Sequence, residues 1–371
     1  MKRTLIQLFL LCILFHGCQA GPGHSCPGMA EGVLDLSDTL SLGLPKCDSA
    51  EWIEVFRSDR YVNNVVLTSF NGSFYCMWQQ SERDEDTPDT RVMLSVSADG
   101  RNWSVPSVLV WPTQEYFASP GGWIRNGDTL TALVNYTFAP DRSQGGKAYF
   151  ISTTDGKTWT VPQPVLMADG TPVEGIFEQD PLTLPDGRIT GAVHFRPGNV
   201  LCPVYTDDLS GVKGWKKASF PEGEGHPIEP SQYIARDGTL VMLMRDQSSS
   251  FVKLYSVSKD RGVSWSAPQK TDIPDSRSKQ CAGNLPDGKA FWIGNPTGNK
   301  SRRALVLAVS EDGYLFDRAS LLAGPADLPV RRKSGLYKTL GYNYPKAIVI
   351  GHDIWVSLSV NKEDVWLIRI P

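Results

Sequence analysis

One short stretch, Ser258-Lys259-Asp260-Arg261-Gly262-Val263-Ser264-Trp265, constrains the fold more than any other because it recurs. It reads S-x-D-x-G-x-S-W. Looser copies begin at Ser97 (with Asp99, Gly100 and Trp103), at Thr153 (with Asp155, Gly156 and Trp159) and at Ser310 (with Asp312, Gly313 and Phe316). Thr206-Asp207-Asp208, with Trp215 after an insertion, is a degenerate fifth. The starts are about 50 residues apart, a period that belongs to propellers and solenoids. Each copy has the chemistry of a hairpin turn. Gly supplies a positive φ, Asp and Ser or Thr satisfy turn N–H groups with side-chain oxygens, and the closing aromatic packs between neighbouring sheets.

Around these turns the chain repeats one grammar: a strand, a Gly-containing turn, a second strand, a third ending in the repeated motif, and a fourth. In the first unit, apolar runs at 64–69 and 74–79 flank Asn71-Gly72, a strong hairpin signal. Later units turn at Asn126-Gly127, Asp186-Gly187, Asp237-Gly238 and Asp287-Gly288. A sixth unit, 344–370, has three strands and lacks a fourth, which the segment 52–56 near the start of the chain can supply. Such closure removes the open edges of a ring of sheets. No long helical pattern is present. The expected architecture is all-β, a six-bladed β-propeller with four-stranded antiparallel blades; seven blades is the alternative.

The repeated motif resembles the Asp-box, or bacterial neuraminidase repeat, of the sialidase superfamily. In that family it is structural, and it also occurs in propellers without enzymatic activity. The fourth unit carries the resemblance further. Glu229-Pro230-Ser231 opens a strand, Asp237-Gly238 turns it, and Arg245 closes the next strand, so acid and base come to the same end of the sheet. The resemblance implies that Glu229 is a base and that Arg245 belongs to a triad of arginines holding a substrate carboxylate. Arg60, in Asp59-Arg60-Tyr61-Val62, matches the first member, although Tyr-Val replaces the family's Ile-Pro. Arg302, or its neighbour Arg303, matches the third. The family's tyrosine nucleophile falls at Gly341-Tyr342-Asn343-Tyr344-Pro345, with Tyr344 first and Tyr342 second, and Glu363 falls where the family steadies its first arginine. The acid/base is an Asp of the loop 81–89; Asp86 fits best by its distance to the Asp-box, ahead of Asp84 and Asp89.

These residue types suit one chemistry. A sialoside carries a carboxylate on its anomeric carbon, which guanidiniums hold through charge-assisted bonds and which would repel a carboxylate nucleophile. A neutral tyrosine avoids that repulsion. Implied, therefore, is an exo-acting, retaining glycoside hydrolase on an acidic glycan, with no cofactor and no metal. Two further groups lie outside the template. Glu178 and Asp180 open the third unit, and Arg277 and Lys279 precede the fifth. They either contact the substrate or pair across the mouth, and as contacts they would suit another acidic sugar. The remaining alternatives are a hydrolase or lyase on such a sugar and a carbohydrate-binding propeller without turnover.

The first twenty residues do not belong to the propeller. Met1-Lys2-Arg3 followed by an apolar run at 5–15 is the pattern of a secretory signal, too short to span a bilayer. Cleavage after Ala20 gives an arm over 21–50 and a propeller over 51–371, secreted, periplasmic or at the cell surface; alternatively Cys18 is a lipidated N-terminus. Five cysteines then remain, an odd number, and Cys26 and Cys47 are placed to bridge the arm, whereas Cys76 lies in an apolar strand and reads as a buried thiol. The histidines show no metal-binding spacing. A formal net charge of −3 gives no reason to expect nucleic acid or an anionic membrane as partner.

Overall fold

The repeated turns fold as their residue types dictate. In the computed structural model, which describes residues 26–139 and 141–371, Ser97 Oγ accepts the Gly100 N–H at 2.9 Å and donates to Asp99 Oδ1 at 3.0 Å. Asp99 Oδ1 also accepts the N–H groups of Arg101 and Asn102 at 2.8 and 2.7 Å. Gly100 has φ 75°, and a Cβ there would meet the Trp355 ring at 2.7 Å, so both backbone and space require glycine. Equivalent bonds form at Thr153–Asp155–Gly156, Ser258–Asp260–Gly262 and Ser310–Asp312–Gly313. In the degenerate copy Thr206 Oγ1 accepts the Asp208 N–H, and the insertion brings Trp215 into the core against Phe177, ring centroids 5.3 Å apart.

Six antiparallel sheets result. Blade 1 runs from Tyr61–Phe70 through Ser73–Ser81 and Arg91–Ser97 to Ser107–Val110. Blade 2 begins with Tyr116–Asn126, and blade 3 with the interrupted pair Gly175–Phe177 and Leu182–Thr183. Blade 4 begins with Pro227–Ile234, blade 5 with Cys281–Asn284 and blade 6 with Tyr342–Ile350. Glu51–Arg57 pairs with Asp364–Ile370 as the fourth strand of blade 6, joining the first propeller segment to the last. The chain is therefore a six-bladed β-propeller.

Apolar packing follows the ring. The buried clusters lie mainly between successive blades: Val66 and Met77 of blade 1 with Ala132 and Ile151 of blade 2, and Leu305 and Leu307 of blade 5 with Val356 and Leu358 of blade 6. Part of the arm is fastened to blade 5, where Gly28–Met29 adds a parallel strand beside Leu315 and Phe316. Cys47 is a free thiol, so the Cys26–Cys47 bridge does not form; Cys76 is free and buried. Among the described residues no helix is long and apolar enough to cross a membrane. The signal segment and Cys18 lie outside the described residues.

The turns make stability depend on pH in a defined direction. Backbone N–H bonds from Asn102 and Thr158 hold the Asp99 and Asp155 carboxyls well below the usual carboxylate range. At Asp260, burial pushes upward but the bonds from Ser264 outweigh it. Carboxyls depressed on folding stabilise the fold above their unfolded pKa of about 4, and that contribution is lost as pH falls through the lower folded values. The urea midpoint is therefore expected to fall between pH 5 and pH 3, and to fall less steeply in Asp99→Asn. An unchanged slope in that variant would count against the assignment.

Candidate active site

At one end of the ring the starts of the inner strands and the ends of their hairpin partners enclose a cavity of about 520 Å³. Pairing slips by a bulge between Asn63 and Val66, between Ile228 and Ser231, and between Asn343 and Lys346. One residue within each bulge is left-handed: Asn64 (φ 51°), Glu229 (φ 50°) and Tyr344 (φ 55°). Each such non-glycine position costs about 1–3 kcal/mol, which the surrounding sheet must offset. All three line the cavity, with Glu178 of blade 3 and Lys279 before blade 5.

Buried opposite charges fill this mouth. Arg245 Nη1 donates to Glu229 Oε2 at 2.9 Å, and both side chains are about nine-tenths buried. Gln247 Oε1 accepts from Arg245 Nη2 at 2.7 Å and from Arg277 Nε at 3.2 Å. Arg302 donates to Asn343 Oδ1 at 3.0 Å and to the Arg277 backbone carbonyl at 3.2 Å, so the three arginine residues form one linked group. Lys279 Nζ lies 2.6 Å from Glu178 Oε2, and Lys362 Nζ lies 2.8 Å from Glu85 Oε2. Three cations surround the Tyr344 ring: Lys279, Arg302 and Lys362, at 5.0, 5.3 and 5.3 Å from its centroid.

These contacts set protonation. Burial alone would raise the Glu178 and Glu229 carboxyls, but Lys279 beside the first and Arg245 beside the second hold both below the usual range. Burial pulls Lys279 down; Glu178 and Glu229 outweigh it and keep the ammonium charged. Burial, with the charges of Glu85 and Glu229, pushes the Tyr344 phenol far up, against the opposing pull of Arg302 and Arg245. The resting phenol is neutral. Burial also lowers His194, which accepts the Glu229 backbone N–H at 3.4 Å as a neutral imidazole.

The expected site residues divide into two groups. Tyr344, Glu229, Arg245, Arg302, Arg277, Glu178 and Asp86 all line the cavity. Of the neighbouring acids, Asp84 instead accepts the backbone N–H groups of Leu336 and Tyr337, and Asp89 accepts that of Glu82. Five expectations are corrected. Arg60 precedes the inner strand and pairs with Glu82 at 2.8 Å outside the cavity; the bulge position of its blade is occupied by Asn64. Arg303 alternates with buried Arg302 and points to solvent. The left-handed turn at Tyr344 breaks strand alternation, so Tyr342 faces away, donates to the Gly324 carbonyl at 3.0 Å and packs on Trp52. Glu363 accepts the N–H groups of Arg332 and Lys333 and lies 3.3 Å from Lys338 Nζ and 3.9 Å from Arg332 Nη2, holding the 332–338 loop rather than Arg60. Asp180, two residues past Glu178, faces the opposite end of the channel and accepts the Trp123 N–H at 2.8 Å.

Lys362, Glu85, His194 and Asn64 were not singled out from sequence. Lys362 lies in the turn Asn361-Lys362-Glu363 with φ 54°. A lysine in a hairpin turn carries no local signal distinguishing it from a solvated one. The only usable hint was Glu85, within the acidic loop already marked.

A closed ring with Asp-box turns and a mouth of guanidiniums, carboxylates and one phenol defines a sialidase-like propeller. The chain belongs to the family described as BNR repeat-like domain, whose model matches residues 72–356. No curated protein sequence matches it. Among solved structures it is similar to a protein titled "Sialidase", with TM-score 0.69 and 19% identity over 93% of this chain and 35% of that one. The chain thus spans about a third of that protein's length. It is also similar to the intramolecular trans-sialidase of Ruminococcus gnavus (TM-score 0.66, 11% identity, 86% of this chain and 97% of that one). A third similar structure is the GH93 α-L-arabinofuranosidase of Fusarium graminearum (TM-score 0.57, 12% identity, 87% and 98%). At these identities the likeness is one of fold.

Proposed function

We propose that the protein is a secreted, exo-acting glycoside hydrolase that releases a terminal acidic sugar, sialic acid, with retention of configuration. The carrying observation is the linked group Arg245, Arg277 and Arg302 beside Tyr344 in one cavity. The guanidiniums take the substrate carboxylate. Arg245 is then shared between that carboxylate and Glu229, so Glu229 loses compensation and becomes a stronger base. It accepts the Tyr344 proton as the phenol oxygen bonds to the anomeric carbon and the bond to the leaving oxygen breaks. Asp86 protonates that oxygen. In the second half Asp86 takes a proton from water, the resulting hydroxide attacks the anomeric carbon, and the departing phenolate recovers its proton from Glu229. Two inversions give retention.

One observation favours a second reading, another acidic sugar such as a uronide. Lys279 and Lys362 stand beside Tyr344 in addition to the arginine group, and cations placed there suit a carboxylate carried elsewhere on the sugar ring than the anomeric carbon. An aryl α-sialoside assayed beside aryl uronides and an aryl arabinofuranoside separates the readings. Release of the aryl group from the sialoside at least tenfold faster than from the others is expected. Preference for a uronide would move the proposal to the second reading, and preference for the neutral arabinoside would reject both.

A further inference from the structure

Two residues further along the chain from Glu178, Glu229, Lys279 and Tyr344 stand Asp180, Ser231, Cys281 and Lys346. All four line a second cavity, about 920 Å³, at the opposite end of the channel from the candidate active site. Its chemistry centres on Lys346. This side chain is 2% exposed, yet its Nζ has no hydrogen-bond partner among the described residues. Its nearest counter-charge, Asp180 Oδ2, is 3.8 Å away, too far for a hydrogen bond. The other Asp180 oxygen already accepts the Trp123 N–H at 2.8 Å. A buried ammonium with three unused donors is costly, and the cavity is large enough to admit the group that satisfies them.

We infer that this second cavity binds a neutral, hydroxyl-rich ligand, a saccharide unit, through the Lys346–Asp180 pair. A hydroxyl can accept from the ammonium and donate to the carboxylate at once, bridging the 3.8 Å gap that neither side chain closes alone. A free anion fits less well, because the Asp180 carboxylate would face it across the same ammonium. Phe291, Leu182 and Ile348 give the cavity apolar wall against which the C–H face of a sugar ring can lie. The inference does not depend on activity at the other mouth.

The test uses the full chain. Binding of methyl glycosides of glucose, galactose and arabinose is measured by calorimetry on the wild-type chain and on the Lys346→Met and Asp180→Asn variants. At least one of them is expected to bind the wild-type chain, and the concentration needed for half-saturation is expected to rise at least tenfold in Lys346→Met. In Asp180→Asn the concentration needed is expected to rise about tenfold, the cost of one charge-assisted bond. Three results would overturn the inference: no neutral glycoside binds; phosphate or acetate binds while the glycosides do not; or the glycosides bind both variants as tightly as wild type, which would trace the effect to the other mouth.

Discussion

Replacing Tyr344 by phenylalanine is expected to lower kcat on an aryl sialoside by about a thousandfold or more, the scale on which losing a catalytic nucleophile acts. The ring and its three cationic neighbours are retained, so binding of N-acetylneuraminic acid is expected to stay within a few-fold of wild type. Direct binding by calorimetry and turnover by aryl release therefore separate the two contributions. Tyr342→Phe removes only the hydroxyl bond to the Gly324 carbonyl and should leave kcat nearly intact. Undiminished hydrolysis in the Tyr344 variant would reject the tyrosine mechanism. Tight binding without turnover in the wild-type chain would instead identify a carbohydrate-binding propeller.

The largest effect on stability is expected at a pair beneath the site. Lys253 Nζ lies 2.7 Å from Asp275 Oδ1 and donates to the Ser278 carbonyl at 3.2 Å, with both charged side chains essentially fully buried. Burial pulls the lysine below its usual range and Asp275 opposes that. Lys253→Met leaves a buried carboxylate without its counter-charge and should destabilise the fold by about 3–5 kcal/mol in urea unfolding. Lys253→Met combined with Asp275→Asn should recover part of that loss, because the stranded charge is gone. The pair anchors the segment that delivers Arg277 and Lys279 to the cavity. The single variant should therefore also raise KM under conditions where it remains folded. A loss below 1 kcal/mol would mean that water compensates the carboxylate.

Much of the architecture was legible because its determinants are local. An Asp-box closes its hydrogen bonds within a few residues, so Asp260, Gly262 and Trp265 could be read without knowing their neighbours in space. The missing strand was legible by counting: a last unit of three strands required a fourth from elsewhere. The Glu229–Arg245 pairing also followed from local logic, since a hairpin brings the start of one strand beside the end of the next. The other positions depend on facts a single unit does not contain. Whether Tyr342 or Tyr344 faces the axis is decided by a bulge, which reverses the alternation a strand pattern assumes. Arg60 and Lys362 traded places because their distance from the axis depends on how blades 1 and 6 meet. Nothing near either residue in sequence encodes that meeting.

The pairing of Glu51–Arg57 with Asp364–Ile370 has a consequence for biosynthesis. A chain emerging from the ribosome makes this early strand long before its partner exists. Until that partner has been made, the partly made ring presents raw edges that invite other chains. Completion then requires two distant stretches of polypeptide to meet, which is slow compared with forming any single blade. The ring is therefore most exposed to aggregation in the interval before these two strands meet.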